Sequence, residues 1–101
     1  MFESVYEEIL FYELQQAGLK IERQVYLPVL WKELRCDNAF RADIIIENKV
    51  ILELKSIEKI EKIHQKQLLT YLKLTKLKLG LLINFNVPLI KDGIQRIANN
   101  M

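Results

Sequence analysis

The feature that most constrains the fold is a pair of short apolar runs, residues 39–46 and 50–56. Both runs are rich in Ile and Val, which favour strands, and only the polar corner Glu47-Asn48-Lys49 separates them. Two such runs joined by a short polar corner are typical of a β-hairpin. The sequence therefore predicts two neighbouring antiparallel strands.

Three ionisable residues, Asp43, Glu53 and Lys55, interrupt these apolar strands. A buried carboxylate is costly unless it is paired, protonated or bound to a metal. Carboxylates here suit a hard divalent cation such as Mg²⁺, and a lysine beside them can orient a water or stabilise charge on a phosphate. The alternative is structural: Glu53 and Lys55 form a solvated face, and Asp43 is a turn residue.

The length of the hairpin loop distinguishes these two hypotheses. A three-residue loop at 47–49 pairs residue 43 with residue 53 and brings the carboxylates together, as does a one-residue bulge. A two-residue loop at 48–49 pairs residue 43 with residue 54, which turns Asp43 to the face opposite Glu53. The metal-site hypothesis therefore predicts the three-residue offset.

The other segments predict one domain, residues 1–101, of the α/β class with α+β layering. The order α-β-β-β-α-β favours a mixed central sheet flanked by helices. The predicted segments are a helix at 3–17, a strand at 19–30 with its alternating apolar residues on one face, a loop at 31–38 whose Trp31 caps the core, the two hairpin strands, a helix within 58–77 that is best defined over 62–76, a buried strand opened by Gly80, and a short final helix at 89–99.

Composition limits the classes of protein to which the chain can belong. Of 101 residues, 50% are hydrophobic and 28% charged, which predicts a globular domain, and a net charge of +2 is too small to imply nucleic-acid binding by itself. A single cysteine, Cys36, excludes an internal disulfide and favours the cytoplasm. No apolar run approaches the ~20 residues that span a bilayer, so no membrane partner is expected. An exposed sheet edge or the Leu-rich helix favours a homodimer.

One face of the second predicted helix carries polar residues. His64, Gln67 and Tyr71 share this face by their helical spacing, and it can reach a site at the edge of the sheet. Alternatively, Tyr71 is a core residue with its hydroxyl at the rim, and His64 lies at the surface. A lone histidine does not make a metal cluster.

The segments FRAD, VILELK, QLLTYLKL and LGLLINFNV together resemble the GxxExxY protein family, within the PD-(D/E)XK nuclease superfamily. The resemblance extends from about Glu3 to about Ile97 and implies a restriction-endonuclease-like core of the same α-β-β-β-α-β order. It matches the aspartate of the PD element with Asp43, although Ala42 replaces the proline. The other matches are Glu53 and Lys55 with the (D/E)XK element, Gln67 and Tyr71 with a Q-x-x-x-Y element, and Glu3 and Tyr6 with the E-x-x-Y of the family name.

This resemblance implies a Mg²⁺- or Mn²⁺-dependent nuclease with nucleic acid as its partner. Asp43 and Glu53 are then the metal ligands, with Glu3 completing the acidic site, and Lys55 positions the attacking water or stabilises negative charge. Gln67 and Tyr71 orient Lys55 or contact the nucleic-acid backbone.

The chain departs from the family pattern before Glu3, and a second function remains open. The glycine of the family motif falls before the first residue, so the chain is expected to lack a helix that precedes Glu3 in the family. The alternative function is a catalytically inactive module of the same fold that binds nucleic acid or protein.

Overall fold

The structure is a computed structural model that describes residues 3–100. These residues form two α-helices, one 3₁₀ helix and a five-stranded sheet, and none of the helices is long and apolar enough to cross a lipid bilayer. The elements are α1 (Glu3–Gln16), β1 (Ile21–Trp31), β2 (Leu34–Ile46), β3 (Val50–Lys55), α2 (Lys62–Thr75), β4 (Leu79–Asn84), a 3₁₀ helix (Ile90–Gly93) and β5 (Ile94–Ala98).

The sheet has the strand order β1-β2-β3-β4-β5 and mixes both pairing directions. Neighbouring strands are antiparallel except β3 and β4, which are parallel from Val50↔Leu79 to Lys55↔Asn84. Parallel neighbours need a crossover, and α2 supplies it. The predicted order α-β-β-β-α-β and the mixed sheet flanked by helices are confirmed.

Apolar side chains cover both faces of the sheet, which explains why β3 and β4 are almost continuously apolar. Alternation along β2 sends Ile44 and Ile45 to opposite faces. The cluster on the α2 side contains Leu27, Ala42, Ile45, Ile51, Leu68, Tyr71, Leu72 and Leu82, and the cluster on the α1 side contains Ile44, Leu52, Leu54 and Ile83 with Leu10 and Leu14 against them.

Strand β1 does not keep one apolar face, contrary to the prediction from its alternation. Ile21 packs with the cluster on the α1 side, whereas Val25 and Leu27 pack with the cluster on the α2 side. Gln24 lies between them with a φ of 53°, in the left-handed region. Because this conformation interrupts the pleat, the residues on either side of Gln24 face different helices.

The predicted loop at 31–38 is wrong, because β1 and β2 continue through it as a hairpin arm. Trp31 pairs with Leu34 across a turn at 32–33, and the pairing continues through Leu30 and Val29. Trp31 does not cap the core, since it is 69% exposed at the tip of the arm. With both faces in solvent, the arm tolerates a polar composition, and cross-strand pairing rather than burial defines it.

The predicted helix at 89–99 is also largely wrong. Only the four residues Ile90–Gly93 are helical, as a 3₁₀ helix, and Ile94–Ala98 form the edge strand β5. Pairing with β4 from Leu79↔Ala98 to Ile83↔Ile94 gives these residues backbone partners that a short isolated helix would not provide.

A candidate active site where two strands diverge

The hairpin between β2 and β3 has the three-residue loop that the metal-site hypothesis predicts. The paired residues are Ile46↔Val50, Ile45↔Ile51 and Ile44↔Leu52, so the next residues along the two strands are Asp43 and Glu53. Two loop residues, Glu47 and Asn48, have φ values near 54° and make the tight corner. The predicted offset is confirmed, and the two carboxylates are neighbours.

At these two residues, side chains replace the backbone ladder. Regular pairing of β2 with β3 ends at Ile44↔Leu52, after which β2 stays with β1 and β3 stays with β4. The Leu54 N–H donates to Asp43 Oδ2 at 2.8 Å, and the Asp43 N–H donates to Glu53 Oε1 at 3.0 Å. Each carboxylate is therefore held in place by a backbone amide where the strands separate.

Burial makes this pair of carboxylates costly to ionise together. Glu53 is 4% exposed, and burial followed by the charge of Asp43 raises its pKa to about 8. Burial also raises the pKa of Asp43, although the Leu54 N–H and the charge of Lys55 oppose the shift. The metal-free pair therefore retains a proton near neutral pH, and a divalent cation would favour ionisation of both groups.

Lys55 ends β3 beside the two carboxylates. Its positive charge lowers the pKa of both Asp43 and Glu53. Within residues 3–100 the ion pairs are Arg23–Glu8 and Arg35–Asp37, so Lys55 is not committed to a salt bridge. Its backbone is fixed, since the Lys55 carbonyl accepts the Phe85 N–H at 2.9 Å.

Helix α1 brings Glu3 to the same end of β3. Glu3 Oε1 accepts the Ser56 N–H at 3.1 Å, and the charge of Glu3 raises the pKa of Asp43. Tyr6, one turn later, stacks on Phe85 with ring centroids 4.1 Å apart. The two residues that match E-x-x-Y thus have different positions: Glu3 lies beside the acidic pair, and Tyr6 anchors the helix.

The three polar residues that were predicted to share one face of α2 have different surroundings. Tyr71 is 4% exposed, and burial, then the charges of Glu53 and Asp43, raise the pKa of its hydroxyl. Gln67 is exposed and forms no hydrogen bond with the described part of the acidic site. His64 Nδ1 accepts the Glu61 N–H at 2.8 Å and so stabilises the start of α2.

A cavity of about 200 Å³ opens beside Asp43, between α1 and the strands β1 and β2. Its lining includes Glu7, Gln24 and Arg41, which are absent from the site predicted from the sequence. Arg41 precedes Asp43 by two residues, which is a usable signal, whereas Glu7 and Gln24 depend on how α1 packs on β1. The lining residues are Glu3, Ser4, Glu7, Gln24, Arg41, Asp43 and Leu54.

The donor set fits a hydrated divalent cation rather than a closed protein cage. No group of three or more His, Cys, Asp or Glu residues between positions 3 and 100 is arranged to enclose a metal ion. Mg²⁺, however, keeps several waters and is usually bound through one or two carboxylates together with substrate phosphates. Asp43 and Glu53 fit that pattern, with Glu3 nearby as a third acceptor.

Comparison with known protein families identifies a match over most of the chain. A family model described as the PD-(D/E)XK nuclease superfamily matches residues 1–97. No curated protein and no solved structure matches the chain. The matched range includes both helices, the diverging hairpin and nearly all of the sheet. The narrower resemblance to the GxxExxY family stays a prediction.

Proposed function

The chain belongs to the PD-(D/E)XK nuclease superfamily, and on that premise we propose that it is a hydrolase that cleaves phosphodiester bonds of DNA or RNA with Mg²⁺ or Mn²⁺. A fold can host active and inactive members, so activity depends on the residues of the site. A cytoplasmic location belongs to the same proposal and is supported by the single free cysteine, Cys36.

One observation carries the proposal: Asp43 and Glu53 are adjacent where the strands diverge, and Lys55 follows on the same strand. A buried carboxylate and a half-buried one with one uncommitted lysine are a poor structural arrangement, since both pKa values rise. The same arrangement suits hydrolysis of a phosphodiester, in which a cation, a water and a phosphate must meet.

Each residue then has a role. Asp43 and Glu53 would hold the cation, with Glu3 completing the acidic site. The cation, when bound, lowers the pKa of water and shields the negative charge of the phosphate. Lys55 would position the attacking water or stabilise charge that develops on the phosphate oxygens. Tyr71, whose hydroxyl feels the charges of both carboxylates, would orient Lys55 or the substrate backbone.

Gln67 is exposed on α2 and would act apart from the carboxylates. Its exposed side chain suits contact with the nucleic-acid backbone better than orientation of Lys55. Other basic groups line two cavities and support substrate binding. Arg41 lines the cavity with Asp43, and Lys59 and Lys62 line a cavity of about 590 Å³ at the start of α2. Phosphates are the natural ligands of such groups.

The second candidate is a catalytically inactive module that binds nucleic acid or another copy of this chain. The exposed tip of the hairpin arm favours it, because Leu30, Trp31 and Leu34 are 60–69% exposed. Sedimentation of the wild type beside Trp31→Ser tests whether the tip holds a homodimer; a monomeric wild type would contradict that form of the candidate.

The deciding experiment is incubation of purified protein with linear DNA, circular DNA and RNA, in Mg²⁺, in Mn²⁺ and in EDTA. Glu53→Gln and Lys55→Met are compared with Lys49→Met, which changes an exposed lysine at the opposite end of β3. We expect metal-dependent cleavage that is lost in the first two variants and kept in the control. Absence of cleavage by folded wild-type protein on every substrate would overturn the proposed activity.

A further inference from the structure

Gln24 has an unusual backbone conformation for its place in the fold. Its φ is 53°, in the left-handed region that residues with a side chain disfavour. The other non-glycine residues with positive φ, at positions 32, 47, 48 and 76, lie in turns or at the end of a helix. Gln24 alone among the described residues has this conformation in the interior of a strand, and such strain is concentrated at functional sites.

The register of the sheet sets Gln24 opposite Asp43. Arg23 pairs with Ile44 and Val25 pairs with Ala42, so the residue between each pair faces the other. Gln24 and Asp43 also line the same cavity, together with Glu3 and Glu7. The strained residue therefore adjoins the carboxylate that we assign to the cation.

The side-chain amide of Gln24 is only half satisfied. Its Nε2 donates to Glu7 Oε1, and this bond fixes the orientation of the amide because an ionised carboxylate only accepts. The other end, Oε1, is buried with no hydrogen-bond partner. A buried acceptor without a donor destabilises the fold, so Gln24 carries an unmet hydrogen bond as well as backbone strain.

We propose that Gln24 is a positioning residue whose Oε1 accepts a hydrogen bond from the hydration shell of a divalent cation bound at Asp43. The proposal rests on the function proposed above. Mg²⁺ and Mn²⁺ sites of this type keep bound waters, whose hydrogens need acceptors. Glu7 holds the amide so that its oxygen, and not its nitrogen, is available. An outer acceptor of this kind tunes both the affinity and the geometry of a metal site.

The test measures Mn²⁺ affinity without nucleic acid, by titration calorimetry or by the electron paramagnetic resonance of free Mn²⁺. Gln24→Met keeps the volume and removes the amide, and we expect affinity to fall by about tenfold, as for other outer-shell partners. Thermal midpoints in EDTA are measured in parallel. In the metal-free protein, Gln24→Met removes the buried acceptor that has no partner but also loses the hydrogen bond from Nε2 to Glu7. Because these two effects on stability oppose each other, we expect the midpoint to change little.

Two control variants test the effect of backbone strain elsewhere and the cation site itself. Lys32→Gly relieves a similar φ, 56°, at the exposed tip of the hairpin arm, and we expect unchanged Mn²⁺ affinity. Asp43→Asn tests the cation site itself, and we expect its affinity to fall much further. Unchanged affinity in Gln24→Met beside a loss in Asp43→Asn would overturn the role of Gln24 alone. Unchanged affinity in Asp43→Asn, or no Mn²⁺ binding by the wild type, would overturn the cation site and this inference together.

Discussion

Tyr6 of α1 lies flat on Phe85, the residue that follows β4, with ring planes 3° from parallel. The Phe85 N–H donates to the carbonyl of Lys55, and Glu3 accepts the N–H of Ser56. One stacked pair thus joins the first helix, the end of β4 and the end of β3. The position of Glu3 beside Asp43 depends on that junction.

The first prediction concerns this stack. We expect Tyr6→Ala to destabilise the fold by about 1–3 kcal/mol and to reduce cleavage, because α1 loses its anchor and Glu3 its position. Tyr6→Phe keeps the stacked ring, so both quantities should stay near wild type. Urea unfolding and initial cleavage rates measure the two effects. Equal losses in both variants would show that the hydroxyl, not the ring, carries the role.

The second prediction concerns pH in the metal-free protein. The pKa of Glu53 is raised to about 8 in the folded state, so between its ordinary acidic value and pH 8 the unfolded chain releases a proton that the folded chain keeps. The contribution of Glu53 to the free energy of unfolding is therefore complete at low pH. It decreases as the pH rises, by at most about 1.4 kcal/mol per pH unit. Thermal midpoints in EDTA should fall from pH 5 to pH 8.

Substitution isolates the group responsible for that fall. Glu53→Gln removes the titrating carboxyl, so its thermal midpoint should depend less on pH, and saturating Mg²⁺ should have the same effect on the wild type. Glu13→Gln changes an exposed glutamate on α1 and should keep the wild-type dependence. If Glu53→Gln followed the wild-type curve, the buried pair would not be the source.

The third prediction concerns Arg41, which lines the cavity beside Asp43 and forms no ion pair within the described residues. We expect Arg41→Met to weaken binding of nucleic acid by about tenfold and to reduce the slope of log affinity against log salt by about 1, as for the loss of one phosphate contact. Fluorescence anisotropy in Ca²⁺ at several salt concentrations measures both. Arg96→Met, on the exposed face of β5, is the matched control.

The fourth prediction concerns Gly93, the last residue of the 3₁₀ helix before β5. A Cβ at this position would lie 2.1 Å from the carbonyl oxygen of Asn84, which is backbone and cannot move aside cheaply. Asn84 in turn bonds both the N–H and the carbonyl of Ile57, just after β3. We expect Gly93→Ala to destabilise the fold by about 3 kcal/mol, measured by urea unfolding. Asp92→Ala, one residue earlier and exposed, should change stability little.

The parts of the fold that local patterns determine were predictable. Apolar runs identified β3 and β4, and counting residues around the 47–49 corner showed that a three-residue loop, but not a two-residue loop, would put Asp43 next to Glu53. Periodicity also identified both helices to within about two residues. In each case the information lies within one segment or one hairpin.

The parts that depend on distant partners were not predictable. Residues 31–38 form strands because β1 and β2 pair there, although their composition is that of a loop. Residues 94–98 form a strand because β4 presents a free edge. Gln24 and Glu7 meet only when α1 packs on β1, and no spacing in the sequence relates them. Tyr71 and Gln67 were both predicted to face the site. Tyr71 is buried, whereas Gln67, one helical turn earlier, is exposed.

The side-chain acceptors at the point of strand divergence have an evolutionary consequence. Asp43 and Glu53 each receive a backbone N–H that has lost its carbonyl partner, so the sheet needs an acceptor at both positions whether or not any phosphodiester is cut. A descendant that lost the activity would still be under selection to keep Asp, Asn, Glu or Gln there. The side chain of Lys55 accepts no backbone N–H, so the sheet does not need it. In such a lineage, substitution of Lys55 would be the earlier sign that the activity has been lost.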